Sequence, residues 1–258
     1  MTLAILQART SSTRLPEKVL KPILGRPMLS LEIERILKSR RIDKLIVATS
    51  SDLPDERIEG LCNSMGINCF RGSLDDVLDR FYNAALLYKP DHIVRITGDC
   101  PLIDPYIIDT VIEFYINGGF DYVSNALQPT FPDGMDVEVF AFTALATAWR
   151  EASLPSHREH VTPFINQQCD RFKVGNFENA VDLSFLRWTV DEPEDFQLVT
   201  QIFEALYSNG KIFTMKDILE YIEKRPELKT MNAMHVRNEG FQKSLREDRM
   251  FTQDTNRG

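Results

Sequence analysis

Short apolar runs alternate with longer amphipathic stretches along most of this 258-residue chain, and that rhythm restricts the fold more than any other feature. Strand patterns at residues 3–8, 44–48, 68–70 and 92–97 are separated by helical patterns at 28–38, 55–65 and 74–88. A further helix at 105–117 ends at Gly118-Gly119. Strands that take turns with helices belong to a mostly parallel sheet, because each parallel pair needs a crossover long enough to hold a helix. The spacing therefore predicts an α/β fold with helices covering the sheet.

After a strand at 121–124 the rhythm changes. Gln128-Pro129-Thr130-Phe131-Pro132-Asp133-Gly134 reads as a loop and 135–140 as an alternating strand. Residues from about 127 to 181 are read as an insertion holding helices at 142–152 and 159–168 and a strand at 172–177. The α/β rhythm returns with a strand at 185–190, a helix at 193–207 whose Pro193 suits a first turn, and a last helical pattern at 214–223. One domain spanning 1–245 is expected, followed by a polar tail at 246–258 whose final residues, 252–258, contain no core formers and are expected to be mobile.

With 43% hydrophobic residues the chain can bury about three quarters of its unfolded surface, so a full-sized core is expected. A formal net charge of -8 argues against nucleic-acid binding, which needs broad positive charge. No run of eighteen apolar residues and no leader pattern is present, so neither membrane nor export is expected. Cys62, Cys69, Cys100 and Cys169 lack CxxC spacing and fit reduced thiols in a cytoplasm.

Positive charge is nevertheless concentrated in one place. Behind the first strand, Ala8-Arg9-Thr10-Ser11-Ser12-Thr13-Arg14-Leu15-Pro16-Glu17-Lys18 gathers two guanidinium groups, an ammonium and a run of hydroxyls around a proline-fixed bend. Such a loop suits phosphate groups. The strand ending at Thr97 runs into Gly98-Asp99-Cys100-Pro101, and Thr189-Val190 into Asp191-Glu192-Pro193, so each places an aspartate past a strand end. Ligands of open α/β sheets bind at that edge. Two carboxylates converging on one cation match magnesium, which is usually held by one or two carboxylates together with substrate phosphates. Glu192, Glu194 and Asp195 are explained by the helix dipole alone.

Several of these segments resemble a known family. The loop from Ala8 to Lys18, Leu24-Gly25-Arg26-Pro27-Met28, the run from Arg95 to Pro105, Asp133-Gly134-Met135-Asp136-Val137-Glu138, Arg158-Glu159-His160-Val161-Thr162-Pro163 and the run from Trp188 to Asp195 are similar, in order and spacing, to the sugar cytidylyltransferases. These include the CMP-KDO synthetases and acylneuraminate cytidylyltransferases, and the likeness is greatest to the spore-coat polysaccharide biosynthesis protein F group. The resemblance implies a GT-A-like, Rossmann-like nucleotidyltransferase fold in which CMP passes from CTP to a sugar or sugar-acid acceptor, pyrophosphate is released and Mg2+ takes part. It further implies that Arg9, Arg14 and Lys18 hold the triphosphate, that Asp99 and Asp191 bind the metal, and that two copies pair through the inserted segment. A role in surface-glycan biosynthesis follows from the same likeness. Two positions depart from the pattern: Cys100 stands where the CMP-KDO synthetase turn has an acid, and Glu17 where Leu-Pro-Gly-Lys has glycine.

Ala8, Thr10, Ser11, Ser12 and Thr97 complete the expected nucleotide site. Arg71 and Ser73 either read a cytosine edge or belong to an ordinary helix start. For the acceptor, Asp133, Asp136 and Glu138 either meet sugar hydroxyls or line a solvated strand face, with Asp136 and Glu138 sharing one face. Arg158 and His160 either contact the acceptor or belong to a capped helix start at Ser156. Other classes stay open: a different NTP or a phosphonate acceptor, a GT-A-type glycosyltransferase, and a noncatalytic nucleotide-binding module.

Overall fold

The computed structural model describes residues 1–208, 211–237 and 239–255. Among the described residues nine strands are formed: β1 (Thr2–Gln7), β2 (Pro22–Ile23), β3 (Arg26–Pro27), β4 (Lys44–Ser50), β5 (Asn68–Gly72), β6 (His92–Thr97), β7 (Tyr122–Ser124), β8 (Glu138–Ala141) and β9 (Val174–Asn176). The helices are α1 (Met28–Ile36), α2 (Glu56–Ser64), α3 (Val77–Leu86), α4 (Pro105–Gly118), α5 (Phe142–Glu151), α6 (Pro155–His160), α7 (Pro163–Asn166), α8 (Pro193–Leu206), α9 (Met215–Glu223), α10 (Pro226–Thr230) and α11 (Glu239–Thr255).

Seven strands make one sheet in the order β5-β4-β1-β6-β8-β7-β9, and β2 and β3 form a separate small ribbon. Every pairing in the large sheet is parallel except those of β8, which runs against both β6 and β7. The α/β expectation is therefore met. The unbroken apolar run of β1 follows from burial on both faces. Ala4 and Leu6 pack with α1, α2, α4, α8 and α9 on one side, while Leu3 and Ile5 pack with α3, α5 and α7 on the other.

Segment 127–181 is woven into the sheet. Its β8 pairs with β6 and β7, and its β9 adds to β7, with α5 to α7 beneath. The helix expected at 159–168 is two short ones, because Val161 takes φ 71° and Pro163 starts a new turn. The expected strand at 185–190 joins no sheet. It makes an isolated bridge from Arg187 to Asp133, its Trp188 N–H donates to Asp133 O and its Val190 N–H donates to Asp99 O, stitching together the loops at the site.

Residues 246–255 of the polar stretch continue α11, and the Asp248 carboxylate accepts from the Ser156 N–H at 2.9 Å. A polar helix is stabilised here by docking against α6; residues 256–258 lie outside the described residues. Among the described residues no helix is long and apolar enough to cross a membrane.

Candidate active site

β1 and β6 are neighbours whose crossovers leave in opposite directions, β1 to β4 on one side and β6 past the place of β8 to β7 on the other, so a crevice opens at their carboxyl ends, where Gln7 is level with Thr97. The loop after β1 and the turn after β6 face each other across it. Gly98 sits at the closest approach, since a Cβ there would lie 3.0 Å from both the Ala8 Cβ and the Gln7 carbonyl oxygen.

Asp55 holds the first loop in shape. Its carboxylate accepts from the Thr10 N–H at 2.8 Å, the Thr10 hydroxyl at 2.6 Å, the Thr49 hydroxyl at 3.0 Å and the Ser50 hydroxyl at 2.6 Å. Burial alone would raise its pKa, but the bonds from Ser50, Thr10 and Thr49 outweigh it and keep the group below its usual range. Thr10 is thus turned inward as an anchor, and Arg9, Ser11, Ser12 and Arg14 line the cavity.

Lys18 brings the two aspartates together. Its Nζ donates to Asp99 Oδ2 at 3.0 Å, Asp191 Oδ1 at 2.8 Å and the Val190 carbonyl at 2.7 Å. Arg14 adds a 3.0 Å ion pair to Asp191 and reaches Glu192 and Glu239. Asp99 is held at about 2: burial would raise it, and Lys18, Thr97 and Cys100 more than reverse that. Behind this centre Arg187, 7% exposed, binds Asp133 at 3.0 Å, Asp195 at 2.9 Å and Asp191 at 3.3 Å. Asp195 in turn accepts from the backbone N–H groups of Asp191 and Glu192, which fixes the second acidic loop.

Two cavities meet here. The smaller, of about 360 Å3, is lined by Arg9, Ser11, Ser12, Lys18 and Arg80; the larger, of about 580 Å3, by Arg95, Tyr122, Asp133, Asp136, Glu138 and Thr162. Gln7, Arg14, Thr97, Asp99, His160 and Asp191 border both. The larger one is acidic. Burial, then Asp136, push Asp133 up to about 7 despite Arg237 and Arg187, and burial also raises Asp136 against its ion pair with Arg237. Glu138 is shared among Arg95, the Tyr122 hydroxyl at 2.6 Å and the Thr162 hydroxyl at 2.5 Å. His160 contacts Ser244 of α11 at 2.9 Å, and burial lowers its pKa, which keeps the ring neutral.

Besides Thr10, three expected residues stand elsewhere. Arg71 borders neither cavity, because the carbonyls of Ser50, Ser51 and Asp52 and the carboxylate of Glu59 bind its guanidinium. The Ser73 hydroxyl accepts from the Asp76 N–H at 3.0 Å ahead of α3, the helix-start alternative. Arg158 pairs with Asp76 and donates to the Trp149 carbonyl, tying α6 to α3 and α5 beside a separate hollow. Arg80 and Arg95 are among the residues the sequence patterns passed over. Arg95 interrupts the apolar run of β6, and Arg80 occupies the apolar face of α3, so a charge where the period demands a hydrophobe marks both. Arg80 is 2% exposed and its Nε has no hydrogen-bond partner among the described residues.

Asp99 and Asp191 suit a hard divalent cation in donor type and in their shared focus. Among the described residues no group of three or more His, Cys, Asp or Glu side chains could hold a metal alone, so phosphate and water would have to complete the shell.

The chain is 41% identical over 250 residues to MJ1063 of Methanocaldococcus jannaschii, described as an uncharacterized protein, covering 95% of this chain and 98% of that one. It is 31% identical to the spore coat polysaccharide biosynthesis protein SpsF of Bacillus subtilis, over 88% and 96% of the two chains. A cytidylyltransferase structure from Leptospira borgpetersenii superposes with a TM-score of 0.84 at 33% identity, covering 88% of this chain and 96% of that one. The cytidylyltransferase family model matches residues 3–245, so with this fold and these full-length likenesses the chain belongs to the cytidylyltransferases, CTP-utilising nucleotidyltransferases.

Proposed function

We propose that this protein transfers the cytidylyl group of CTP to a hydroxyl of a sugar or sugar-acid acceptor and releases pyrophosphate, with Mg2+ as cofactor. The observation that carries this reading is the convergence of Lys18, Asp99 and Asp191 where a cationic cavity meets a larger polar one. The reaction needs an anionic α-phosphate to be approached by an oxygen, so neutralising and orienting charge is the main task.

Arg9, Arg14 and Lys18 would grip the triphosphate in the smaller cavity, leaving the α-phosphate near Asp99. Magnesium bound by Asp99 and Asp191 would supply further charge neutralisation on the phosphates. Lys18 and Arg14 would stabilise the departing pyrophosphate. Asp133, Asp136 and Glu138 line the larger cavity and offer hydroxyl acceptors to a polyol, with His160 at its border. Arg95 and Arg237 hold those carboxylates in place from the side.

The reaction belongs in a cytoplasm, which supplies CTP, and in the building of a surface glycan. Two copies would pair through the 127–181 segment, and light scattering showing only monomers would remove that part. A pyrophosphate-release assay that crosses CTP, UTP, ATP and GTP with neutral sugars, sugar acids and phosphonates tests the whole. CTP-dependent release with one acceptor class supports the proposal. Release from another NTP, or none with any acceptor, overturns it.

A further inference from the structure

Lys18 fills the point on which the two acidic loops converge. Its ammonium has oxygen neighbours at 3.0, 2.8 and 2.7 Å, and its side chain is 10% exposed. Three donors thus meet three acceptors, which satisfies the ammonium completely. Asp191 is compensated again by Arg14 at 3.0 Å and Arg187 at 3.3 Å. Both carboxylates are therefore engaged before any ligand arrives.

A divalent cation held by these same oxygens would have to lie where the ammonium lies, and two positive charges in one partly buried place repel strongly. A triphosphate changes the balance, because it offers Lys18 and Arg14 a more highly charged partner in the adjoining cavity, which both residues border. Building on the nucleotidyl-transfer reading above, we propose that Lys18 is a resident counter-ion that keeps the cation position between Asp99 and Asp191 closed, so that a divalent metal enters only with the nucleotide that draws the lysine away. Arg187, locked to Asp133 and Asp195 as well, stays and keeps the loop of Asp191 in place throughout. The coupling is reciprocal: whatever factor the nucleotide adds to metal affinity, the metal adds to nucleotide affinity.

The test is Mn2+ binding followed by electron paramagnetic resonance, with no turnover required. Wild-type protein alone should bind Mn2+ weakly, and adding CTP should tighten binding about tenfold or more. Lys18→Met and Lys18→Gln should bind Mn2+ without nucleotide about tenfold more tightly than wild type, and adding Asp191→Asn should cancel the gain. Circular dichroism of each variant reports its folding. Should the buried carboxylates prevent the lysine variants from folding, 15Nζ-lysine NMR of the wild type decides: the Lys18 signal should ignore Mg2+ alone and shift with Mg2+ and CTP together. Tight Mn2+ binding by the wild type alone, no gain in folded lysine variants, or a Lys18 shift with Mg2+ alone overturns the proposal. The gain in Lys18→Met needs no acceptor and no CTP, so it survives even if the pyrophosphate assay refutes the reaction.

Discussion

Asp99 and Asp133 face one site from opposite electrostatic circumstances, and their chemistry separates accordingly. Asp99, compensated by Lys18, stays ionised down to about 2, whereas Asp133, buried and then crowded by Asp136, is pushed up to about 7. A depressed carboxyl contributes stability that is complete above its ordinary 3.8 and lost as pH falls through about 2. A raised one works the other way: the stability it contributes below 3.8 is lost as pH rises through about 7. Urea midpoints of the wild type measured between those two values should carry this downward slope with rising pH, and Asp133→Asn should flatten it; a steeper slope in the variant would contradict the assignment. Asp99→Asn removes a charged contact of the proposed transfer centre and should lower pyrophosphate release by about a hundredfold, or on the order of 3 kcal/mol, in a protein that still folds by circular dichroism but melts at a lower temperature, because Lys18 loses an ionic partner. Near-normal turnover would exclude Asp99 from the centre.

The strands and helices show how far pattern alone reaches. β1, β4, β6 and α4 stand where periodicity puts them, because each is packed on the core in a way that the apolar spacing records. The loop after β1 and the aspartate after β6 were legible for the same reason, since a turn following a buried strand has one place to go. Residues 185–190 were not. Their apolar positions, Leu186, Trp188 and Val190, are buried as in a strand, but their backbone partners are single loop residues, Asp133 and Asp99, which no spacing reveals. Arg71 misled because a basic residue after a strand carries no mark of which neighbours will take it. Gly134 shows the tightness of the loop contact: it has φ 102°, and a Cβ would stand 2.5 Å from the Thr189 nitrogen. Gly134→Ala should cost about 3 kcal/mol in urea unfolding and weaken turnover by displacing Thr189 and Asp191. A neutral effect on both would show that the two loops are not mutually supporting.

At the scale of the whole molecule, the sheet divides labour along its edge. The carboxyl ends of parallel β1 and β6 carry the cationic cavity, and antiparallel β8 brings the acidic one beside it. Ligands that fill the crevice should therefore stabilise the entire domain: at about a hundred times its dissociation constant, CTP with Mg2+ should add about 2.7 kcal/mol, read as a rise in melting temperature. No rise at any concentration would mean the crevice is not a nucleotide site.

The reversed direction of β8 has one more consequence. Glu138 stands opposite Arg95 in the ladder, and successive side chains of a strand point to opposite faces. Gaining or losing a single residue between 134 and 138 would swing Glu138 to the far side and leave Arg95, Tyr122 and Thr162 without their common acceptor at once. Exchange of one side chain for another is thus tolerated here far more readily than a change in the length of the connection.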